Sequence, residues 1–170
     1  LDRFNIRTKE KARVFLAAAG HHESFCAFTD PEKKRILIWS ESPQSPRNLF
    51  ALDLDDGKRT RITDVQPPSQ ELSRIRKEIL KYKRADGVEL SGTLYLPPDY
   101  DGRRKLPVIM WAYPREYSTS AEAGQIRGSS VTYTWPSPLS PLHFALHGYA
   151  VLDEVAMPVI GPPETANDTF

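Results

Sequence analysis

A single cysteine, Cys26, occurs in 170 residues, so the chain can form no disulfide of its own and cysteine usage carries no reading of redox compartment. Long apolar runs are missing as well. No stretch approaches the roughly 18 apolar residues that a membrane-crossing helix needs, so no membrane partner is expected. The opening at Leu1 shows no basic-then-apolar leader pattern, and localisation is left open. There is no excess of charge of either sign: 23 Lys and Arg against 22 Asp and Glu leave a net charge of +1. That balance gives no electrostatic case for nucleic acid or an anionic surface as partner. Glycine is scarce beside proline, 9 against 15. The prolines gather in pairs and short groups such as Pro67-Pro68, Pro97-Pro98 and Pro136 to Pro141, which marks turns and crossovers and argues against long helices. With 39% hydrophobic and 26% charged residues, the chain can bury one moderate core or two small ones.

What is present in the first part reads as short strands over residues 13–18, 24–28, 35–39, 48–52 and 59–62. Asp30-Pro31 and Asp55-Asp56-Gly57 supply turns at the spacing of antiparallel neighbours. Leu49, Ala51 and Asp53 alternate with Phe50, Leu52 and Leu54, so both faces are fairly apolar, as in a sheet stacked between others. Cys26 lies in an apolar run and is expected to be packed. Residues 64–77 combine a Pro-Pro break with a polar, basic run, the composition of a linker, and place a boundary near Ser73. The basic cluster Arg74, Arg76, Lys77, Lys81, Lys83 and Arg84 alternates with Ile75, Ile79, Leu80 and Tyr82, which reads as a solvated strand face.

Beyond that boundary, residues 82–98 form two alternating runs hinged at Asp86-Gly87, a hairpin signal. Residues 106–117 read as an apolar strand that ends in a Tyr-Pro-Arg turn, with Tyr113 as its last delivered side chain. Ser140-Pro141 opens an apolar helix that closes on Gly148, and residues 149–155 read as a second buried strand. The order is hairpin, strand, helix, strand. Sheets of the α/β type collect chemistry at the carboxyl ends of their strands, so a phenol at Tyr113 is a candidate hydrogen-bond donor to substrate.

Several pieces, in their shared order, carry a resemblance: YKRADG at 82–87, TLYLPP at 93–98, WAYPRE at 111–116, AGQIRG at 123–128, GYAVLD at 148–153 and MPVIG at 157–161. Together they resemble the opening of the peptidase domain of the prolyl oligopeptidase family, nearest its glutamyl endopeptidase subgroup. The resemblance implies a mixed fold. Residues 1–73 would be the last blades of a β-propeller, antiparallel β in class. Residues 74–170 would be the N-terminal, incomplete portion of an α/β-hydrolase domain.

It also implies what the chain does not contain. In this fold the nucleophilic Ser sits in a G-x-S-x-G turn, with Asp and His after it, and no such pattern occurs here. The triad is therefore expected beyond Phe170, and the chain by itself is expected to be inactive. Serine acyl-enzyme chemistry also needs donors aimed at the oxyanion. The resemblance gives Tyr113 that role, because the family's donor is a tyrosine just after the strand matching Val108 to Ala112. Tyr117 is the rival phenol, deeper in the loop. Arg115 and Arg127 are candidate cations for the carboxylate of a glutamyl substrate, since arginine binds carboxylates bidentately; each could equally be bonded to Glu116 or Glu122.

Other candidates read as structural. His143 and His147 stand four apart, yet position 144 is Phe where a metal-binding H-E-x-x-H helix has Glu, so no metal site is assigned. His21-His22 reads as a turn. Adjacent carboxylates such as Asp153 and Glu154 point to opposite faces of a strand, which argues against a shared acid/base site. No cofactor is expected. The partner expected for the parent protein is a peptide substrate, and open sheet edges invite self-association. Two other readings stay open: a non-catalytic binding module built on the propeller, and another acyl hydrolase such as an esterase on the same fold.

Overall fold

The computed structural model describes residues 1–124, 128–162, 164, 165 and 168. The chain divides into two compact units, one comprising Leu1–Pro68 with Val131–Trp135, the other Ser69–Ser130 with Pro136–Phe170. Among the described residues, no helix is long and apolar enough to cross a membrane.

In the first unit, β1 (Asp2–Phe4) pairs with β2 (Lys11–Arg13), and Asp2 accepts ion-pair contacts from Lys11 and Arg13. The strands β3 (His22–Phe28), β4 (Arg35–Ser42), β5 (Ser45–Asp53) and β6 (Arg59–Arg61) then form an antiparallel meander in chain order. Alternation along β4 buries Ile36, Ile38, Ser40 and Ser42. Ile36 and Ile38 are fully buried with Phe15 and Leu52, and Phe50 and Leu54 pack against them. Each such aliphatic side chain contributes about 1.5–3 kcal/mol by leaving water.

Two expectations fail in this unit. The strand read over residues 13–18 ends at Arg13. From there Val14 and Phe15 both donate backbone N–H groups to the Leu1 carbonyl, and the Leu1 nitrogen donates to the Phe15 carbonyl, so this backbone is satisfied around Leu1 and not by a ladder. Cys26 is exposed, not packed. The β3–β4 register passes from Phe25↔Ile38 to Ala27↔Leu37, so Cys26 is the extra residue of a bulge and turns outward from its own apolar run.

Buried polar side chains tie the loops of this unit to its strands. Asn48, 1% exposed, donates from Nδ2 to the carbonyls of Pro46 (3.0 Å) and Val65 (3.1 Å). Its Oδ1 accepts from Val65 N (2.7 Å) and Thr63 Oγ1 (3.0 Å). The Glu23 carboxylate is wholly shielded from solvent. Burial opposes its ionisation, but hydrogen bonds from Arg59, the Ala18 N–H and the Ser40 hydroxyl outweigh that and hold it below the usual glutamate range. Glu41 Oε2 accepts from Tyr133 N at 3.0 Å, which anchors the Val131–Trp135 stretch within the same unit.

The second unit begins with a one-turn helix α1 (Gln70–Ser73), capped by the Ser69 hydroxyl accepting from Leu72 N. The strands β7 (Arg76–Lys83) and β8 (Glu89–Leu96) form the hairpin hinged at Asp86-Gly87, where Gly87 takes φ +92°. Then come β9 (Val108–Tyr117), α2 (Ser120–Ala123) with a Thr119/Glu122 capping box, a 3-10 helix at Pro141–His147, and β10 (Ala150–Ile160). The sheet order is β7-β8-β10-β9. β10 is antiparallel to β8 and parallel to β9, so the chain between β9 and β10 is a crossover. The apolar stretch after Ser140 winds as a 3-10 helix, with Pro141 in its first turn and Gly148 at φ +85° closing it. Leu142 and Ala145 of that helix pack on Ile75, Tyr95 and Val151.

Asn48 gives a direct test of the first unit. Asn48→Ala leaves the Val65 amide and carbonyl without their side-chain partners and is expected to cost about 2–4 kcal/mol. The measurement is hydrogen exchange at Leu49 and Val65. Unaltered protection there would show that these bonds do not hold the unit together.

Candidate active site

The geometry at Tyr113 differs from the strand-end turn expected from sequence. β9 does not stop at Ala112 but runs through Pro114 to Tyr117, paired in parallel with β10 from Ala156↔Tyr113 to Ile160↔Tyr117. Pro114 is tolerated because, among the described residues, β9 is laddered on one side only, where a missing N–H need not break a ladder. Tyr113 therefore stands within a strand, 77% exposed. Arg115 follows two residues later on the same face and is also exposed. Among the described residues Arg115 has no ion-pair partner, so it is bonded to neither Glu116 nor Glu122. Tyr117 packs against the Val88, Leu90 and Ala123 cluster. Arg127 lies outside the described residues.

A bulge precedes this segment. The β10–β9 register passes from Leu152↔Met110 to Val155↔Ala112, so Asp153 and Glu154 together oppose Trp111. Glu154 takes φ +51°, the left-handed conformation that lets one residue be absorbed without a break. The simple alternation of faces expected for Asp153 and Glu154 is lost here. Asp153 Oδ1 instead accepts from Glu154 N at 2.9 Å. Burial pushes the Asp153 carboxyl up from its ordinary value, and the Glu154 charge adds to that.

Past the bulge, β10 leaves β8: their register ends at Asp153↔Thr93. The next carbonyls on the freed side are taken by side chains of β7 and its turn. Tyr82 Oη donates to Ala156 O at 2.7 Å, and Arg84 Nη1 donates to Pro158 O at 2.7 Å. Arg84 is itself fixed by Asp86, through Nε to Oδ1 at 2.9 Å and Nη2 to Oδ2 at 2.6 Å. A recess of about 710 Å³ opens beside these residues, lined by Tyr82, Arg84, Leu90, Met110 and residues 155–160. Neither Tyr113 nor Arg115 lines it. Sequence reasoning assigned Arg84 to a solvated basic face and Asp86 to a turn, and missed that Arg84, oriented by Asp86, holds β10. The available signal was Arg84-x-Asp86 astride a hairpin turn, with Tyr82 two residues before it on the same face.

Of the other histidines and carboxylates considered, His143 Nε2 lies 2.9 Å from the Ser137 carbonyl, and His21 Nδ1 lies 3.5 Å from Ser40 Oγ. These contacts are local ties. The chemical capacity of the site is therefore one exposed phenol and one guanidinium without an ion-pair partner among the described residues, side by side on a strand backed by a parallel neighbour.

No family model matches the chain. An alignment of 182 positions covering 100% of the chain is 35% identical to "Probable glutamyl endopeptidase, chloroplastic" of Oryza sativa subsp. japonica, and covers 19% of that protein. A lasso peptide isopeptidase of Asticcacaulis excentricus is 32% identical over 124 residues, 71% of this chain and 16% of that one. Among solved structures, a puromycin-hydrolyzing peptidase of Mycobacterium tuberculosis superposes with a TM-score of 0.53 at 15% identity, over 91% of this chain and 22% of that chain. That last likeness speaks to fold: antiparallel β followed by the start of an α/β-hydrolase sheet. The chain spans about a fifth of the length of the first of these relatives.

The Asp86 pair supplies a prediction independent of activity. Hydrogen bonding to Arg84 lowers the Asp86 carboxyl to about 2 in the folded chain. Since the folded value lies below the ordinary one, the pair's contribution is present above the ordinary carboxylate range and is lost as pH falls through about 2. A carboxyl NMR titration should find Asp86 at that low value and find it restored to the ordinary range in Arg84→Ala. An ordinary Asp86 titration in the unsubstituted chain would mean that the pair does not persist in solution.

Proposed function

Because the chain belongs to the prolyl oligopeptidase family, we propose that it is a segment of a longer serine peptidase and supplies one oxyanion donor, Tyr113, to that enzyme. In this reading residues 1–73 are propeller and residues 74–170 open the hydrolase domain. Nucleophile, base and orienting acid come from chain outside these residues. The observation that carries the proposal is the exposed phenol of Tyr113 on a strand backed by β10, in the WAYPRE stretch of a chain 35% identical to a glutamyl endopeptidase-named relative.

The chemistry follows from the phenol. When a serine oxygen adds to a peptide carbonyl, the carbonyl oxygen gains negative charge, and a preplaced O–H donor stabilises that charge more than it stabilises the starting carbonyl. A tyrosine has only two side-chain torsions to fix, so aiming it costs little entropy. Arg115, a neighbouring cation without an ion-pair partner among the described residues, is suited to the carboxylate of a glutamyl residue in the substrate. Arg127 is a second candidate for that task. The outer edge of β9 has no partner strand among the described residues, which gives an expressed segment a route to self-association.

In the longer polypeptide, Tyr113→Phe is expected to lower kcat by about 10²–10³-fold with little change in KM, the usual cost of one oxyanion donor. Arg115→Ala should raise KM for a Glu-containing peptide and leave a neutral substrate unaffected. The isolated 170-residue chain should hydrolyse neither. An undiminished kcat in Tyr113→Phe would remove the oxyanion role, and hydrolysis by the isolated chain would contradict the division of labour.

A further inference from the structure

We propose that Tyr82 and Arg84, with Asp86 behind them, are positioning residues that hold the strand on which Tyr113 rests, an inference that depends on the oxyanion role given to Tyr113. The warrant is a matched spacing. Tyr82 and Arg84 are two apart on one face of β7 and its turn, and the carbonyls they reach, Ala156 and Pro158, are two apart on β10. In the parallel register those same residues lie beside Tyr113 and Arg115. Each candidate functional side chain on β9 thus has, one strand away, a carbonyl tied down by a side chain from β7 or its turn.

The need for such ties comes from the bulge. Up to Leu152, β10 is laddered on both sides; past Asp153, among the described residues, only β9 remains as a backbone partner. A strand with one ladder is free to twist away from its sheet, and carbonyls without partners in a partly buried place are costly. Tyr82 and Arg84 supply donors in place of the missing strand. Arg84 is the firmer of the two, because its guanidinium is already oriented by a carboxylate and its bond to Pro158 O is charge-assisted. A tyrosine phenol is protonated at neutral pH and able to donate, and burial raises that of Tyr82 further from its ordinary value.

A Cβ added at Gly92 would stand 3.4 Å from Val155 Cα and 3.5 Å from Asp153 O, ordinary van der Waals contact, so the bulge of β10 lies over β8 at this point. The recess of about 710 Å³ opens where β10 has left β8. Tyr82 and Arg84 line it and so occupy the gap between the strands.

The test is a double-substitution cycle in the longer polypeptide. Tyr82→Phe removes one O–H and keeps the ring that packs near Val88 and Leu90, so folding should survive. It is expected to lower kcat about tenfold at unchanged KM, within the range that small misplacements of a catalytic group produce. In a Tyr113→Phe background the same substitution should have no further effect, because a residue acting through Tyr113 has nothing left to position. Arg84→Lys, which retains a donor for Pro158 O but loses the fork to Asp86, should fall between the unsubstituted enzyme and Arg84→Ala. If Tyr113→Phe lowers kcat while Tyr82→Phe does not, or if the two losses multiply, the positioning role is overturned and the oxyanion role stands. If Tyr113→Phe leaves kcat unchanged, both fall together.

Discussion

The second unit depends on how one strand, β10, satisfies its backbone after it parts from β8. Through Asp153 it is a central strand, antiparallel to β8 on one side and parallel to β9 on the other, and Val151 and Leu152 are buried there. A bulged residue then changes its course. Glu154 adopts a left-handed conformation that costs a non-glycine residue about 1–2 kcal/mol. Such strain persists only where surrounding contacts over-determine it. Here those contacts are the bonds from Tyr82 and Arg84 to the carbonyls that follow.

The first unit solves a similar problem with buried side chains of its own. Asn48 lies in β5, yet its bonds run to Pro46, Thr63 and Val65, so the segment after β6 is held to the middle of the sheet. Glu23 in β3 gathers Ala18, Ser40 and Arg59, which links the loop before β3 to two other strands. A carboxylate shielded from water is unfavourable unless it is fully paired, and breaking one partner leaves a buried charge. Contacts of this kind fix which loops lie where, while Ile36, Ile38, Leu52 and Phe15 provide the apolar driving force.

Much of this architecture was legible in the chain because local chemistry agreed with the fold. Asp86-Gly87 marked the β7–β8 hairpin, since glycine accepts the positive φ the turn requires. The run after Gly148 read as a buried strand because it is apolar on both faces, and it is one. The misreadings share a cause: backbone events that residue type does not announce. Cys26 looked packed because its neighbours are apolar, but a bulge reverses its direction. Pro114 looked like the end of β9, since proline removes a donor, but a strand laddered on one side, as β9 is among the described residues, has no need of every donor. Arg84 looked solvated because it belongs to a basic cluster that alternates with Ile75, Ile79, Leu80 and Tyr82. Only the departure of β10 from β8, a tertiary event, creates the carbonyl that it binds.

The prolines near the candidate site bear on its rigidity. Pro114 pairs with Met157, and Pro158 pairs with Arg115, but the Pro158 carbonyl is turned away from β9 to Arg84, and in a parallel ladder N–H and C=O of a residue share a side, so neither proline removes a β9–β10 rung. Each proline fixes its own φ and reduces the conformations open to its neighbour, which stiffens the strand from within. A donor to a developing oxyanion must be held without relying on the substrate to place it. Beyond the β9–β10 ladder, that constraint is met by ring geometry and by side-chain donors from another strand. In this chain the second source consists of the phenol of Tyr82 and the guanidinium of Arg84, each 2.7 Å from its carbonyl.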